Sequence, residues 1–252
     1  MTTSCFRQEF RKKLYLCRLK KGTPSLFIPL KDDNPTLTFP IVTIGLILAN
    51  GWVFFHQISL DVVESQRFIF QWGAIPYQIV TGESLYGPSR ISVYLTLFSS
   101  MFLHGGFLHL FGNMLYLWIF GNNIEDTLGH FRFLIFYLVC GLSAALAQVL
   151  SSPSSTVPMI GASGAVAGIL GAYLLLFPGA RILTLFFIFI IIKFIRLPAI
   201  IVLGFWFFLQ LMGVMGGAIS NVAFFAHIGG FVVGLVLIKI FQPRWGKRRR
   251  KY

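Results

Sequence analysis

Residues 158–168 read Pro-Met-Ile-Gly-Ala-Ser-Gly-Ala-Val-Ala-Gly and join a polar loop to an apolar stretch with helical spacing. Gly164, Gly168 and Gly171 recur at intervals of four and three residues, which places them in one stripe along a helix face. Within a bilayer, such a stripe allows a second helix backbone to approach closely. Ser163 therefore begins a helix beside a tight helix contact. The short Gly-x-Ser-Gly pattern is also typical of simple packing, so the rest of the chain must decide whether Ser163 is a nucleophile.

The composition indicates an integral membrane protein. Of the 252 residues, 56% are hydrophobic and only 12% are charged, which is too few charges for a soluble domain of this length. The net charge of +13 would suit nucleic acid, but the basic residues lie at the two ends and in short loops, as in membrane anchoring. We therefore expect a lipid bilayer as a partner and no nucleic acid.

Six apolar segments have the character of membrane-spanning helices, so we predict an all-α fold with six spans. They are residues 39–60, 106–124, 133–150, 163–177, 199–214 and 222–241. The apolar residues 92–105 are expected to enter the membrane before the second span begins. Residues 182–192 are apolar but too few to cross the hydrocarbon core, and we expect them to form a membrane-dipping hairpin.

These spans divide the chain into a basic arm (residues 1–37), a membrane domain (38–241) and a basic tail (242–252). We expect the arm to be solvated or to lie on lipid. With six spans, 19 of the 21 Lys and Arg residues fall in one set of alternate compartments and 2 in the other. The positive-inside rule then places both termini in the cytoplasm, and we expect a multi-pass protein of the bacterial inner membrane.

Three spans that begin at the outer face carry polar side chains near their starts. His109 and Asn113 lie one helical turn apart on the second span, Ser163 begins the fourth, and His227 follows the start of the sixth. The fourth span is shorter than the bilayer core, so irregular backbone must descend to Ser163, which membranes tolerate only where it is buried in protein or lines a water-filled cavity. Each of these side chains could simply join helices, but ionisable groups within a membrane are usually functional. We predict a polar pocket open to the outer side.

The acidic residues narrow the chemistry available to this pocket. None of the eight Asp and Glu residues lies inside a predicted span, which excludes an intramembrane aspartyl dyad, and His-Glu-x-x-His is absent. A serine with a histidine base and no third member remains. Ser163 would attack a peptide carbonyl as His227 takes its proton, and backbone N–H groups, Asn113 and His109 would stabilise the oxyanion. We expect no cofactor and no metal.

Four stretches resemble motifs of the rhomboid family of intramembrane serine proteases, in the family's order. They are His-x4-His-x3-Asn over residues 104–113, Gly-x3-Glu-x3-Gly over 121–129, Gly-x-Ser-Gly over 161–164 and Ala-His-x2-Gly-x3-Gly over 226–234. The resemblance covers about residues 25–241. It implies a six-helix bundle with Ser163 and His227 as the catalytic pair and His109 and Asn113 in the oxyanion hole. It also implies that the substrates are single-span membrane proteins, cut in or near their transmembrane segments.

Two positions depart from the family's pattern. Many members carry Trp-Arg in the first loop, where the nearest basic site here is Ser89-Arg90. Many also have an aromatic residue one turn after the serine, packed beneath the histidine, where this chain has Ala167. Another residue must therefore orient His227.

Three alternatives remain beside the protease. A catalytically inactive relative would bind membrane clients, but the chain retains all four candidate site residues. A transporter or proton channel would need ionisable groups that continue to the inner face, and the second, fourth and sixth spans are apolar there. A b-type haem protein would need paired axial ligands, for which only His109 and His227 lie at matching depth.

Overall fold

The computed structural model describes residues 26–85, 91–188, 191–216 and 222–242. Within these ranges the chain forms a bundle of helices and one three-stranded sheet. The predicted arm before residue 26, the predicted tail after residue 242 and the first-loop site at Ser89-Arg90 lie outside the described residues.

The longer helices follow the predicted apolar segments closely, and three short ones lie between the first and the second segment. In chain order they are α1 (Ile41–Ser59), α2 (Val62–Trp72), α3 (Pro76–Thr81), α4 (Thr96–Ser99), α5 (Phe107–Tyr116), α6 (Asn122–Leu128), α7 (His130–Ser151), α8 (Ser163–Leu176), α9 (Ala199–Met215) and α10 (Phe224–Phe241). A 3₁₀ turn, Ser100–Phe102, follows α4, and a π-helical segment, Leu117–Gly121, joins α5 to α6 in one continuous helical path.

Within the described part of the chain, α1, α7 and α10 are long and apolar enough to cross a membrane, and α8 and α9 are shorter apolar helices. The side of α1 that faces away from the bundle carries large apolar side chains. Its Leu48, Trp52 and Phe55 side chains are between 61% and 74% exposed, although large apolar groups normally avoid water. These surfaces are those of an integral membrane protein in contact with lipid.

Helix α8 lies at the centre of the bundle, and every residue from Gly164 to Tyr173 is buried. Its predicted glycine stripe lies between α7 and α10: a Cβ on Gly164 or Gly168 would meet Ala144 or Cys140 of α7, and one on Gly171 would meet the Phe231 carbonyl of α10. A Cβ built on Gly230 or Gly234 of α10 would overlap the carbonyl groups of Gly164 or Gly168, respectively. The two backbones are therefore in direct contact, which confirms the close approach that the stripe predicted.

The all-α prediction is wrong for one part of the chain, because three antiparallel strands form a sheet. Strand β1 (Leu26–Asp32) pairs with β2 (Arg181–Ile188), which pairs with β3 (Ile191–Pro198) from Arg181↔Pro198 to Ile188↔Ile191. The hairpin expected at residues 182–192 is thus longer than predicted. Its β-branched and aromatic side chains favour extended backbone, and pairing satisfies its peptide groups.

Strand β1 also corrects the interpretation of the basic arm, since residues 26–32 belong to the sheet and not to a solvated tail. Asp32 ends this strand and is only 9% exposed. Its Oδ2 atom accepts hydrogen bonds from Asn123 Nδ2 (2.8 Å) and from the Tyr173 hydroxyl (2.6 Å), so one carboxylate joins β1 to α6 and α8. Burial raises the pKa of Asp32 above its ordinary value, and these hydrogen bonds oppose the rise only in part.

A second buried carboxylate fixes the start of α1. Glu125 of α6 is fully buried and accepts hydrogen bonds from the backbone N–H groups of Val42 (2.8 Å) and Thr43 (2.7 Å), and from the Thr43 hydroxyl (2.7 Å). These N–H groups have no partner within a helix, so the carboxylate caps α1. His130 Nδ1 lies 2.5 Å from Glu125 Oε1, so His130 has a structural role at the start of α7.

Candidate active site

Ser163 and His227 meet where α8 and α10 begin. The Ser163 Oγ atom lies 2.8 Å from Nε2 of His227, within hydrogen-bonding distance. Ser163 is the first residue of α8, and His227 is in the first turn of α10. The two residues are 64 positions apart in sequence, so their contact depends entirely on how the helices pack.

The glycine contacts bring these two helix starts together. Gly164, directly after Ser163, has no room for a Cβ because one would lie 2.5 Å from the Ala144 methyl group of α7. A Cβ on Gly230, three residues after His227, would lie 2.1 Å from the carbonyl oxygen of Gly164. Larger side chains at either position would move one of the two helix starts away from the other.

The second ring nitrogen of His227 has its own partner, which the sequence analysis missed. Nδ1 lies 2.8 Å from Oε1 of Gln210 on α9, and the Gln210 Nε2 group donates to the Trp206 carbonyl at 3.2 Å. The Trp206 ring lies 5.8 Å from the imidazole, centroid to centroid. One signal could have indicated Gln210, because it is the only side-chain amide in α9.

His109 is the next group around Ser163. A Cβ on Gly161, whose φ is +121°, would lie 2.8 Å from both Cε1 and Nε2 of His109 and 3.8 Å from Ser163 Oγ. The bare glycine thus leaves the space that the imidazole occupies beside the serine. The N–H group of Gly105 donates to Nδ1 of His109 at 3.3 Å, so the remaining ring proton is on Nε2, next to Gly161.

Asn113 lies one turn beyond His109 on α5 and is 7% exposed. Its amide donates to the carbonyl of His109 at 2.9 Å. The structure therefore brings Ser163, His227 and His109 together, and Asn113 is hydrogen-bonded to the backbone carbonyl of His109. His104, the first histidine of the motif over residues 104–113, is fully buried, and the Gln57 side chain binds its backbone at both N and O.

A cavity opens beside Ser163. Its volume is about 40 Å³. Small and apolar residues line most of it, among them Met101, Gly141, Ala144, Met159, Ala223 and Ala226. A substrate side chain that entered here would meet methyl and thioether groups, with the serine hydroxyl at the wall. In the parts of the chain that the structure describes, no group of three or more His, Cys, Asp or Glu side chains could hold a metal ion.

The sequence has relatives of known family. The family model of the Rhomboid domain matches residues 92–244 of the sequence. This range contains His109, Asn113, Ser163 and His227. RHOMBOID-like protein 1 of Arabidopsis thaliana is 32% identical over 83% of this chain and 56% of its own length. Rhomboid protein 1, mitochondrial, of Saccharomyces cerevisiae is 37% identical over 66% of this chain and 45% of its own.

A bacterial relative, Rhomboid protease GluP of Bacillus subtilis (strain 168), is 37% identical over 55% of this chain and 24% of its own length. The chain spans about half the length of several of the curated relatives that it matches.

Proposed function

Because this chain belongs to the rhomboid family, we propose that it is an intramembrane serine endopeptidase with Ser163 as nucleophile and His227 as general base and acid. The observation that carries the proposal is the 2.8 Å contact between Ser163 Oγ and His227 Nε2. A serine hydroxyl is a weak nucleophile unless an adjacent base can take its proton. The contact supplies that base.

In the proposed reaction, His227 removes the proton of Ser163 as the serine oxygen attacks the carbonyl carbon of the scissile bond. The tetrahedral intermediate collapses when the protonated imidazole donates to the leaving amine, and an acyl-enzyme results. Water then attacks the ester carbonyl with the same histidine as base, and the imidazolium returns the proton to Ser163 Oγ as the ester bond breaks and the carboxylic acid product leaves. The acid that completes a Ser-His-Asp triad has no counterpart near His227 among the described residues.

The negative oxygen of the intermediate needs hydrogen-bond donors. The Nε2–H group of His109 is one candidate, because the ring lies against Gly161 and beside Ser163. The backbone N–H groups in the first turn of α8 are a second, since they have no helical partner and lie at the positive end of the helix dipole. Asn113 is a third, because its amide has a second proton beyond the one donated to His109.

We further propose that the membrane domain has six spans, with α5 and α6 as the second and with α8 and α9 as the fourth and fifth. Both termini then lie in the cytoplasm, and the site opens to the outer side, in keeping with the distribution of Lys and Arg. The proposed substrates are single-span membrane proteins. The small, apolar cavity beside Ser163 supports a small side chain at the residue before the cut.

The inactive, client-binding alternative has less support, because the family's serine and histidine are both present and in hydrogen-bonding contact. Cleavage of a panel of single-span proteins by the purified protein in liposomes tests the proposal. The parent should cut at least one of them, and Ser163→Ala should cut none. Ser154→Ala, in the exposed loop before α8, is the matched control and should retain the parent rate. Equal cleavage by the parent and Ser163→Ala would contradict the proposal.

A further inference from the structure

We infer that Gln210 is a positioning residue that holds His227 in the tautomer able to accept the proton of Ser163. This inference rests on the proposed protease function. Gln210 takes the orienting role that the acidic residue has in a Ser-His-Asp triad. Such a residue is needed here because Ala167 brings no aromatic ring beneath the imidazole. The argument depends on which way the Gln210 amide faces, and then on which nitrogen of His227 carries the proton.

The orientation of the amide follows from its other partner. The Trp206 carbonyl can only accept a hydrogen bond, so the group that faces it at 3.2 Å must be the NH₂ of Gln210. The oxygen of the amide therefore faces His227. Gln210 is 9% exposed, so water does not offer an alternative set of partners that would favour a flipped amide.

The tautomer of His227 follows from the orientation of the amide. The Gln210 oxygen can only accept, and therefore Nδ1 of His227, 2.8 Å away, must carry a proton and donate it. In a neutral imidazole the other nitrogen, Nε2, then has a lone pair. That lone pair faces the Ser163 hydroxyl at 2.8 Å, which is the arrangement that a general base needs.

Helix α9 supplies two contacts that together fix the ring. Trp206 and Gln210 are one turn apart and lie on the same side of the helix. The indole ring packs against the imidazole with an interplanar angle of 40°, while the amide binds its edge. The indole also stacks on Phe231 of α10 at 6.1 Å, so the support for the imidazole is itself held in place.

An amide suits this position better than the carboxylate of a triad. A carboxylate buried at this site would lose its hydration, and its ionised form would be unfavourable without a second charged partner. The amide oxygen gives the same direction to the Nδ1–H bond without a buried charge. It stabilises the imidazolium less than a carboxylate would, so its contribution is mainly to orientation.

The direct test is ¹⁵N solid-state NMR of histidine-labelled protein in liposomes, with His227→Ala used to assign the resonances of His227. The resting parent should show His227 protonated at Nδ1 and unprotonated at Nε2. A parent protonated at Nε2 would overturn the inference before any change at Gln210 is made. This readout needs no substrate, so its failure would leave the proposed protease function intact, which Ser163→Ala tests separately.

Variants then separate positioning from general packing. Gln210→Leu should lose the preference for the Nδ1–H tautomer and should lower kcat about 10- to 100-fold with KM within about twofold. This loss is smaller than the about 10⁴-fold effect of removing a triad carboxylate that fixes the tautomer. Gln210→Glu in its protonated form can donate its O–H to the Trp206 carbonyl and accept from Nδ1–H of His227 with its other oxygen, so it should keep the tautomer and recover part of the kcat that Gln210→Leu loses.

The matched control is Gln148→Leu on α7. The Gln148 oxygen accepts from the N–H of Ala226, directly before His227, and does not touch the imidazole. This variant loses a comparable glutamine bond to α10 but should keep His227 protonated at Nδ1. If Gln210→Leu keeps the parent tautomer and kcat, or if Gln148→Leu changes the tautomer equally, Gln210 does not position the histidine.

Discussion

Gly168 of α8 and Gly234 of α10 touch through their backbones, and a Cβ on Gly234 would overlap the carbonyl group of Gly168. This contact lies about one turn below the one between Gly164 and Gly230. Together they determine how far apart the two helices lie, and therefore whether Ser163 and His227 can share a proton.

Gly234→Ala should therefore push α8 and α10 apart. We expect a loss of about 1–3 kcal/mol in the free energy of unfolding, as in other overpacked cores. The cleavage rate should also fall, because the distance between Ser163 Oγ and His227 Nε2 increases. Unfolding in mixed detergent micelles and single-turnover cleavage are the measurements. Gly204→Ala on α9 is the matched control, since open space surrounds a Cβ there, and it should preserve both properties. Parent-like behaviour in Gly234→Ala would show that the contact is not limiting.

The oxyanion donors should be distinguishable from the base. His109→Ala should lower kcat by about 10²-fold or less, because the backbone donors of α8 remain. Asn113→Ala should fall in the same range, whereas His227→Ala should be nearly as damaging as Ser163→Ala, since base and nucleophile act as one unit. Single-turnover rates in liposomes provide the comparison.

The control for that series is His130→Ala, which removes a histidine that contacts Glu125 and lies away from the site. It should reduce thermal stability and leave the single-turnover rate of the folded fraction unchanged. Full rates in both His109→Ala and Asn113→Ala would mean that α5 only packs against α8, and that backbone groups alone bind the oxyanion.

The proposed six spans predict the compartment of each loop. Reporter fusions after residues 37, 128 and 198 should report the cytoplasm, and fusions after residues 80 and 155 the outer side. The position after β3 is the most informative, because β2 and β3 pair along their whole length and return the chain to the side from which it came. An outer-side signal after residue 198 would mean that the hairpin region crosses the membrane.

Asp32 should make stability depend on pH. The folded chain holds the Asp32 proton more tightly than the unfolded chain, because burial raises the pKa from its ordinary value of 3.8. The free energy of unfolding should therefore fall as pH rises from about 4 to the raised pKa and stay lower above it. Asp32→Asn should lose this part of the slope in detergent unfolding measured between about pH 4 and pH 7.

A carboxylate that is less buried than Asp32 provides the comparison. Asp126 accepts a hydrogen bond from the Thr38 N–H group at 2.8 Å on the surface, and Asp126→Asn should keep the slope that Asp32 produces. A slope in Asp32→Asn that matches the parent would assign the pH dependence to other groups.

The helices could be predicted from local patterns, whereas the contact of Ser163 with His227 depends on how the helices pack. Apolar length defines the spans, and the glycine spacing required a close helix partner on the face next to Ser163. We expected Ser163 and His227 to lie close together because each is near the start of a span that begins at the outer face of the membrane.

Two features could not be predicted, for different physical reasons. Strand β1 pairs with residues about 150 positions later, and a short apolar run such as residues 182–192 has no periodicity that separates strand from other structure. Gln210 was missed because its role depends on the rotation of α9 about its axis, which decides whether the amide faces lipid or His227. Packing against Trp206 and Phe231 fixes that rotation, and the sequence gives no measure of it.

The most direct test of the central claim is the site of covalent labelling by a fluorophosphonate, followed by mass spectrometry of the modified peptide. Such probes react with a serine that an adjacent base activates. The parent in liposomes should carry one adduct, on Ser163, and His227→Ala should label far more slowly, while Ser163→Ala should not label at all. An adduct on another serine, or labelling of Ser163→Ala equal to that of the parent, would contradict the account.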